Sequence, residues 1–276
     1  MNLRVRLRDY FLSRLNTATQ PFPTSELPAS AIVFSPHFDD ETLGCGGLMI
    51  QKKRANATVK LVFMTDGSRS HAHLIAPEEL AKMRRQEGLD AARVLGLNEA
   101  DVYTLSFNET RLEEQISDAV TAVTQILSDV EPAQVFIPYS GEPRIWSHDH
   151  QATTQIIYAA LKKHGRSVTV YEYPIWFWYS LPWMNLADNS RRNQLRILRI
   201  SLISWFGLRM VRDFGWSLHI GAVLEQKRAA LNAHRSQMER LIPDVGWPIL
   251  SDMSNGQFLA RLTSEREYFR LARRGK

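Results

Sequence analysis

The sequence of 276 residues predicts an α/β fold in which a mainly parallel sheet carries helices on both faces. Short apolar runs rich in Val, Ile and Phe recur along the chain, and segments with helical periodicity separate each run from the next. A hydrophobic share of 44% is large enough for a sizeable core and argues against global disorder. These observations indicate repeated strand–helix–strand units.

Five apolar runs are predicted as strands. They are 31–35, 59–64, 102–105, 134–139 and 168–173. The predicted helices after the first four strands are 42–54, 77–95, 112–128 and 152–164. Pro77 suits the first turn of its helix, and Gly96 suits the end. The pattern is that of a Rossmann-like sheet, and we expect the order 3-2-1-4-5. Strands one and four are then neighbours at the point where such sheets bind ligands.

We expect one domain with three segments. Residues 1–29 are a basic amphipathic N-terminal segment, 30–175 are the Rossmann-like core, and 176–276 add an aromatic and basic insertion and C-terminal helices. One cysteine excludes an internal disulfide framework. Residues 1–20 lack the features of a signal peptide, and no run of about 18 uncharged apolar residues occurs. We therefore expect a cytoplasmic protein, with peripheral contact at the inner face of the membrane as a further option.

A cluster of three carboxylates and one imidazole follows the first predicted strand, in the segment 36–41, PHFDDE. Carboxylates crowded together repel each other and are costly to bury, and a divalent cation removes most of that cost. His37 and Asp40 are then candidate ligands, with Asp39 beside the metal as a base. The alternative is a solvated acidic turn with a chance histidine.

A second polar cluster, 147–150, SHDH, follows the fourth predicted strand. Because strands one and four are expected to be neighbours, both clusters should meet in one crevice. His150 then completes a set of three ligands with His37 and Asp40, which is typical of a catalytic zinc with one open position. Asp149 is either an outer partner that orients a ligand histidine or a local turn stabiliser. Such a site can hydrolyse an amide or an ester.

Five segments in chain order, within about residues 30–240, are similar to the PIG-L/LmbE-like zinc N-deacetylases. They are 35–44, SPHFDDETLG; 64–67, MTDG; 84–96, which contains RRQE, AA and LG; 148–150, HDH; and 227–237, which contains K-x-x-A-L-x-x-H-x-S-Q. The resemblance implies removal of the N-acetyl group from an N-acetylglucosamine-type sugar carried on a small thiol, a lipid or a glycan. It implies Zn²⁺, with Fe²⁺ as another divalent candidate.

Residue by residue, the resemblance implies that His37, Asp40 and His150 are the metal ligands and that Asp39 is the general base. It also implies that Arg84 grips sugar hydroxyls. An ordinary surface ion pair between Arg84 and Glu87, one helical turn apart, is the alternative for this arginine.

The sequence departs from the family pattern at two positions. Phe38 replaces the usual proline. Ser147 stands where the family has a histidine that helps stabilise the oxyanion or protonates the leaving amine. His148 is the candidate to take over this acid role; otherwise Asp39 carries both proton transfers.

The segment 176–216 is dense in apolar and aromatic residues, and its charges are mostly basic. The start of the chain has the same character. Both stretches either pack on the domain or form a homo-oligomer interface, which we favour, or they lie in a membrane interface. An aromatic wall beside the crevice would suit a sugar carried on a lipid or a glycan.

Two rival functions remain. One is a catalytically impaired member of the family that binds metal or sugar. The other is a basic membrane- or nucleic-acid-binding module, whose best support is the arginine-rich termini. The net charge of +5 permits an anionic partner but selects none. No nucleic-acid partner is expected from the motifs themselves.

Overall fold

The computed structural model describes residues 3–143, 148–181, 183, 195, 198–199, 201–202 and 205–273. In these residues one sheet of eight strands forms the centre of the fold. The strands are β1 (Gln20–Pro21), β2 (Ala31–Ser35), β3 (Val59–Thr65), β4 (Val102–Phe107), β5 (Gln134–Pro138), β6 (Thr169–Tyr173), β7 (Trp216–His219) and β8 (Arg266–Arg273). Their order across the sheet is β4-β3-β2-β5-β6-β8-β7-β1.

Helices cover both faces of this sheet. They are α1 (Leu3–Ala18), α2 (Asp40–Arg54), α3 (Pro77–Val94), α4 (Ile116–Val130), α5 (His148–His164), α6 (Trp176–Tyr179), α7 (Leu208–Asp213), α8 (Leu224–Ala233), α9 (Arg235–Met238) and α10 (Gln257–Leu262). Helices α4 and α5 pack on one face, while α2, α3 and α8 pack together on the other. No described helix has both the length and the apolar character needed to cross a bilayer.

The predicted fold class is confirmed, and the five predicted strands are β2 to β6 in the predicted order. All five are parallel, with Val33 opposite Leu61 on one side and Phe136 on the other. Every residue of β2 is buried: Ile32 joins the core under α4 and α5, and Val33 joins the core on the opposite face. Burial on both faces explains why β2, β3 and β5 read as nearly continuous apolar runs.

The prediction of a helical C-terminal region is incomplete, because this part of the chain also adds strands to the sheet. Strand β8 is antiparallel to both β6 and β7, and β1 pairs with β7 at the far edge. Helix α5 also differs from the prediction, since it begins at His148 rather than at 152. His148, Asp149 and His150 therefore lie in the first turn of a helix.

The glycines at the start of α2 allow close packing. A Cβ added at Gly44 would lie 2.3 Å from Tyr173 Cδ2, and one at Gly47 would lie 2.4 Å from Ile220 Cγ2. The helix could not approach these side chains so closely with a larger residue at either position. The short glycine-rich stretch is therefore explained by packing.

A buried ion pair supports α2 from the C-terminal half of the chain. Lys227 Nζ donates to the Leu43 carbonyl at 2.9 Å and lies 2.8 Å from Glu267 Oε1. The Glu267 carboxylate accepts from the backbone N–H groups of Gly47 and Leu48, at 2.7 and 2.8 Å. The Leu43 carbonyl and the Gly47 N–H are the partners of one bond in a regular helix. The ion pair gives each of these backbone groups a charged partner.

We predict that Lys227→Met lowers the free energy of unfolding by about 3–5 kcal/mol, because Glu267 is left buried without its cation. Arg228→Ala is the matched control, since it breaks an exposed pair with Glu225 on the same helix, and it should cost less than about 1 kcal/mol. Urea unfolding of both variants gives the comparison. An equal loss of unfolding free energy in both variants would mean that the buried pair stabilises the protein no more than the exposed pair does.

Candidate metal-dependent active site

The first polar cluster forms a strained turn at the carboxyl end of β2. Asp39 has a φ of 131°, a conformation that costs a residue other than glycine about 1–3 kcal/mol. Its N–H donates to Glu41 Oε2 at 2.9 Å, and its carbonyl accepts from the Leu43 N–H at 2.9 Å. Arg84 Nη2 donates to the neighbouring Phe38 carbonyl at 2.6 Å. Hydrogen bonds on both sides hold the strained residue in place.

Glu41 points into the protein, and its side chain is fully buried. Its Oε1 lies 2.8 Å from His234 Nε2 and accepts from the Thr42 hydroxyl at 2.5 Å. Burial opposes protonation of His234, but the charge of Glu41 outweighs burial and raises the pKa of His234. The third carboxylate of the cluster therefore pairs with a histidine from the C-terminal region and stabilises the turn.

Three donors predicted as ligands come together. One ligand atom each of His37, Asp40 and His150 lies within 4.8 Å of the other two. Asp40 Oδ2 is 3.1 Å from His37 Nδ1 and 3.0 Å from His150 Nε2. The helix that carries His150 follows β5, and the neighbouring positions of β2 and β5 produce this meeting. Two imidazole nitrogens and one carboxylate oxygen form a donor set that suits zinc or iron.

The other nitrogen of each histidine has its own carboxylate. His37 Nε2 lies 3.1 Å from Asp149 Oδ2, and His150 Nδ1 lies 2.8 Å from Glu142 Oε2. This is the arrangement that fixes ring orientation around protein-bound metals. Asp149 also accepts from the Thr110 N–H at 2.7 Å, so its side chain makes both of the contacts considered for it from the sequence.

Burial and neighbouring charges set the protonation of the cluster. Burial and the charge of Asp40 raise the pKa of Asp39 to about 7, although Arg84 opposes this rise. Burial alone would raise the pKa of Asp40, but His150 and His37 outweigh it, and the pKa of Asp40 lies well below its ordinary value. The two adjacent aspartates therefore differ strongly, as in sites where two carboxyl groups take different roles.

Arg84 is almost completely buried beside this turn. Its Nη2 is 3.9 Å from Asp39 Oδ2, and its Nη1 is 3.5 Å from Glu109 Oε1. The alternative interpretation, a surface ion pair between Arg84 and Glu87, is wrong. Glu87 is buried, and its carboxylate accepts from both the N–H and the hydroxyl of Ser236, at 2.8 and 2.6 Å.

His148 lies at the rim of the site. Its side chain is 61% exposed, and Nδ1 is 3.5 Å from Glu113 Oε1. It lines the same cavity as His37 and Asp40. Ser147, where the sequence departs from the family pattern, lies outside the described residues.

A cavity of about 370 Å³ opens beside the three donors. Its polar lining residues include Asp39, Ser70, Arg84, Glu109, Asp149 and Gln237, and its apolar lining residues include Leu43, Ile175, Trp176, Ile249, Leu250, Met253 and Phe258. Trp176 stacks on Phe258 with ring centroids 5.6 Å apart, and its indole N–H donates to His150 Nε2 at 3.1 Å. Part of the aromatic segment expected to border the crevice does so through Trp176.

Sequence reasoning missed two residues that help to build the site. Glu142 follows β5 at the same edge of the sheet as the second cluster, so the strand-end rule could have found it. Gln237 comes from α9, and its amide donates to the Ser70 hydroxyl at 3.3 Å. It is the last residue of the segment 227–237, but nothing in the sequence around it predicts that it lies at the cavity.

The comparison with protein families gives the assignment. Residues 32–161 match the model of PIG-L, GlcNAc-PI de-N-acetylase. Residues 32–161 belong to the PIG-L family. The resemblance drawn from the five segments is therefore confirmed, and the matched range contains the three donors and Asp39.

The PIG-L domain has relatives among known proteins. The chain is 27% identical over 129 residues to the uncharacterized deacetylase YaiS of Escherichia coli K12, a match that spans 45% of this chain and 63% of YaiS. Its fold is similar to N,N'-diacetylchitobiose deacetylase from Pyrococcus horikoshii, with a TM-score of 0.62 and 19% identity over 98% of this chain and 93% of that one.

A second similar structure has a different activity. GalB of Pseudomonas putida KT2440, a 4-carboxy-2-hydroxymuconate hydratase, matches with a TM-score of 0.50 and 16% identity, over 74% of this chain and 78% of its own. The fold therefore supports more than one reaction, and the residues of the site must carry any argument about chemistry.

Phe38, which stands where the family has proline, fits a slot made by two glycines of the PIG-L domain. A Cβ added at Gly88 would lie 2.5 Å from Phe38 Cδ1, and one at Gly67 would lie 2.8 Å from Phe38 Cδ2. The ring is buried, with its centroid 4.4 Å from that of Phe63. The substitution of proline by phenylalanine thus depends on small residues opposite it.

We predict that Gly88→Ala destabilises the protein by about 1–3 kcal/mol, because the added methyl group meets the Phe38 ring. In a Phe38→Pro background the same change should cost clearly less, because only the contact with Phe63 Cζ, 3.1 Å from the added methyl group, then remains. Urea unfolding of the four proteins in this cycle measures the coupling. If Gly88→Ala lowered the free energy of unfolding equally in both backgrounds, Gly88 would not form part of a slot for Phe38.

Proposed function

We propose that this protein is a metal-dependent hydrolase that removes the N-acetyl group from an N-acetylglucosamine-type sugar. The convergence of His37, Asp40 and His150 on one point, with Asp39 beside them, is the observation that carries the proposal. The family match to a de-N-acetylase and the relatives named as deacetylases support the reaction class.

The metal would be held by His37, Asp40 and His150, and the donor set fits because each imidazole has its second nitrogen beside a buried carboxylate. Zinc is the first candidate and Fe²⁺ the second. A metal bound there acidifies a water molecule and polarises the acetyl carbonyl. The open cavity beside the donors leaves room for both.

The residues of the chain carry the proton transfers. Asp39 takes the proton of the attacking water, and its strained backbone holds it beside the donors rather than among them. Arg84, 3.9 Å from Asp39 Oδ2, keeps a positive charge next to this base and also lines the cavity. Asp39 or His148 then protonates the leaving amine, and the exposed position of His148 suits contact with the sugar side of the substrate.

The mixed lining of the cavity supports a substrate with a polar and an apolar part. Arg84, Ser70 and Gln237 offer donors and acceptors to sugar hydroxyls. The stacked rings of Trp176 and Phe258 suit an aromatic or aliphatic group or the face of a second sugar ring. We infer that the amino sugar is linked to a lipid or a glycan.

A binding function without turnover is the second candidate. It is favoured by Ser147 at the position of the family histidine and by the 61% exposure of the side chain of His148, the candidate to replace it.

We predict that Asp39→Asn retains the metal but lowers acetate release by at least about 100-fold, because it removes the base and keeps the shape. His150→Ala should lose both metal and activity. Asp118→Asn, an exposed carboxylate on α4, is the control and should change neither. The assay is acetate release from free, glycan-linked and lipid-linked N-acetylglucosamine, with metal content measured on the same samples. Unchanged turnover in Asp39→Asn would refute the role of Asp39 as the general base. If the metal-loaded protein released acetate from none of the substrates, the binding function would be favoured.

We predict that Glu142→Gln weakens metal binding by about 10- to 100-fold while the three ligands remain. The neutral amide can no longer complement the N–H of His150 at Nδ1 with a negative charge. Glu113→Gln, which alters only the exposed neighbour of His148, is the control. Competition with a chromophoric chelator measures both affinities, and equal values would mean that Glu142 has no part in metal binding.

A further inference from the structure

Exposed apolar side chains are concentrated in one part of the molecule. Of the nine large hydrophobic side chains exposed in the described residues, eight lie on α1 or in the segment 195–208. They are Leu7, Tyr10, Leu195, Leu198, Leu202, Trp205, Phe206 and Leu208, with exposures of 47–67%. We call these eight residues the apolar face. Such a concentration is unusual for a surface that meets only water.

The two parts of the apolar face are neighbours. Helix α1 packs on α7, and a Cβ added at Gly207 would lie 2.7 Å from Phe11 Cε2. Leu7, Phe11 and Leu15 share one side of α1 because they are four residues apart. Phe11 and Leu15 are buried, at 4% and 0% exposure, whereas Leu7 is 47% exposed. The side of α1 that is buried at Phe11 and Leu15 is therefore exposed one turn earlier, at Leu7.

Two aromatic residues of the face are presented at a conformational cost. Trp205 and Phe206 have φ values of 52° and 51°, a left-handed conformation that bulky residues rarely adopt. Their side chains are nevertheless 57% and 48% exposed. The backbone strain is thus not compensated by burying these rings inside the chain.

The charges around the apolar face are mainly positive. The described charged side chains of α1 and 195–213 are Arg6, Arg8, Asp9, Arg14, Arg199, Arg209, Arg212 and Asp213. Both aspartates are paired with arginines of the same group. Asp9 lies 3.0 Å from Arg8, and Asp213 lies 2.7 Å from Arg212. Arg212 also lies over the Trp205 ring, with 5.3 Å from Cζ to the ring centroid.

We propose that the apolar face docks on an anionic membrane surface. Tryptophan and tyrosine favour the boundary between lipid headgroups and acyl chains, and the surrounding arginines complement anionic lipids. A second copy of the same face would instead bring two positively charged surfaces together, which disfavours a symmetric dimer. Docking would place the protein at the surface where a lipid-linked sugar is found, but it depends on neither the metal nor the reaction.

The test uses the full chain with the inactivating substitution Asp39→Asn, so that vesicle binding is measured apart from turnover. Flotation with vesicles of phosphatidylcholine plus phosphatidylglycerol should recover the protein, and pure phosphatidylcholine should recover much less. Trp205→Ser should weaken binding by about tenfold or more, the effect of withdrawing one large apolar side chain from lipid. Arg199→Glu should weaken it as well, and added salt should reduce binding to the anionic vesicles.

Val245→Ser is the matched control, because Val245 is the one exposed large hydrophobic residue of the described chain outside the face; its binding should equal that of the parent. Circular dichroism establishes that each variant is folded. Equal vesicle binding by parent and Trp205→Ser would overturn the proposal. The absence of vesicle binding would overturn it as well. If Trp205→Ser then dissociates a dimer in sedimentation velocity, the face is covered by a second copy.

Discussion

The buried carboxylate of Glu41 fixes the turn on which the candidate site depends. One oxygen holds the N–H of Asp39, which has a φ of 131°, and the other lies 2.8 Å from His234 Nε2. The cost of the strained residue is thereby offset by hydrogen bonds in a place that water does not reach. Because His234 lies beyond the matched range 32–161, the turn of the PIG-L domain requires the C-terminal part of the chain for its shape.

The same principle explains how so many acidic groups share a small volume. Each buried carboxylate has a cationic or polar partner: Asp40 lies between two histidines, Glu142 binds one of them, and Glu267 pairs with Lys227. An unpaired buried charge would be far more costly. Adjacent residues in the sequence therefore acquire different roles, with Asp40 among the donors, Asp39 at the cavity and Glu41 inside the protein.

The sequence predicted the five parallel strands and missed the strands that the C-terminal part adds. Apolar runs such as Ile32–Phe34 and Leu61–Met64 mark the parallel part, whereas Arg266–Arg273 holds four charged residues among eight. One of these is the buried Glu267, whose partner Lys227 is distant in the sequence. The three donors could be predicted because neighbouring strands end at one edge. The partners of Arg84 and Glu87 could not, since one-turn spacing is the same for an exposed pair and for two buried residues that face different neighbours.

Anomalous diffraction at the zinc edge, from crystals grown with zinc, tests most directly whether the strained turn builds a metal centre. We expect one strong peak about 2.0–2.2 Å from His37 Nδ1, a carboxylate oxygen of Asp40 and His150 Nε2. Asp39 should remain unligated beside it, and Glu41 should still point towards His234. A zinc peak ligated by Asp39 or Glu41 would contradict this arrangement. So would crystals in which zinc fully occupies another site and no peak lies among these side chains.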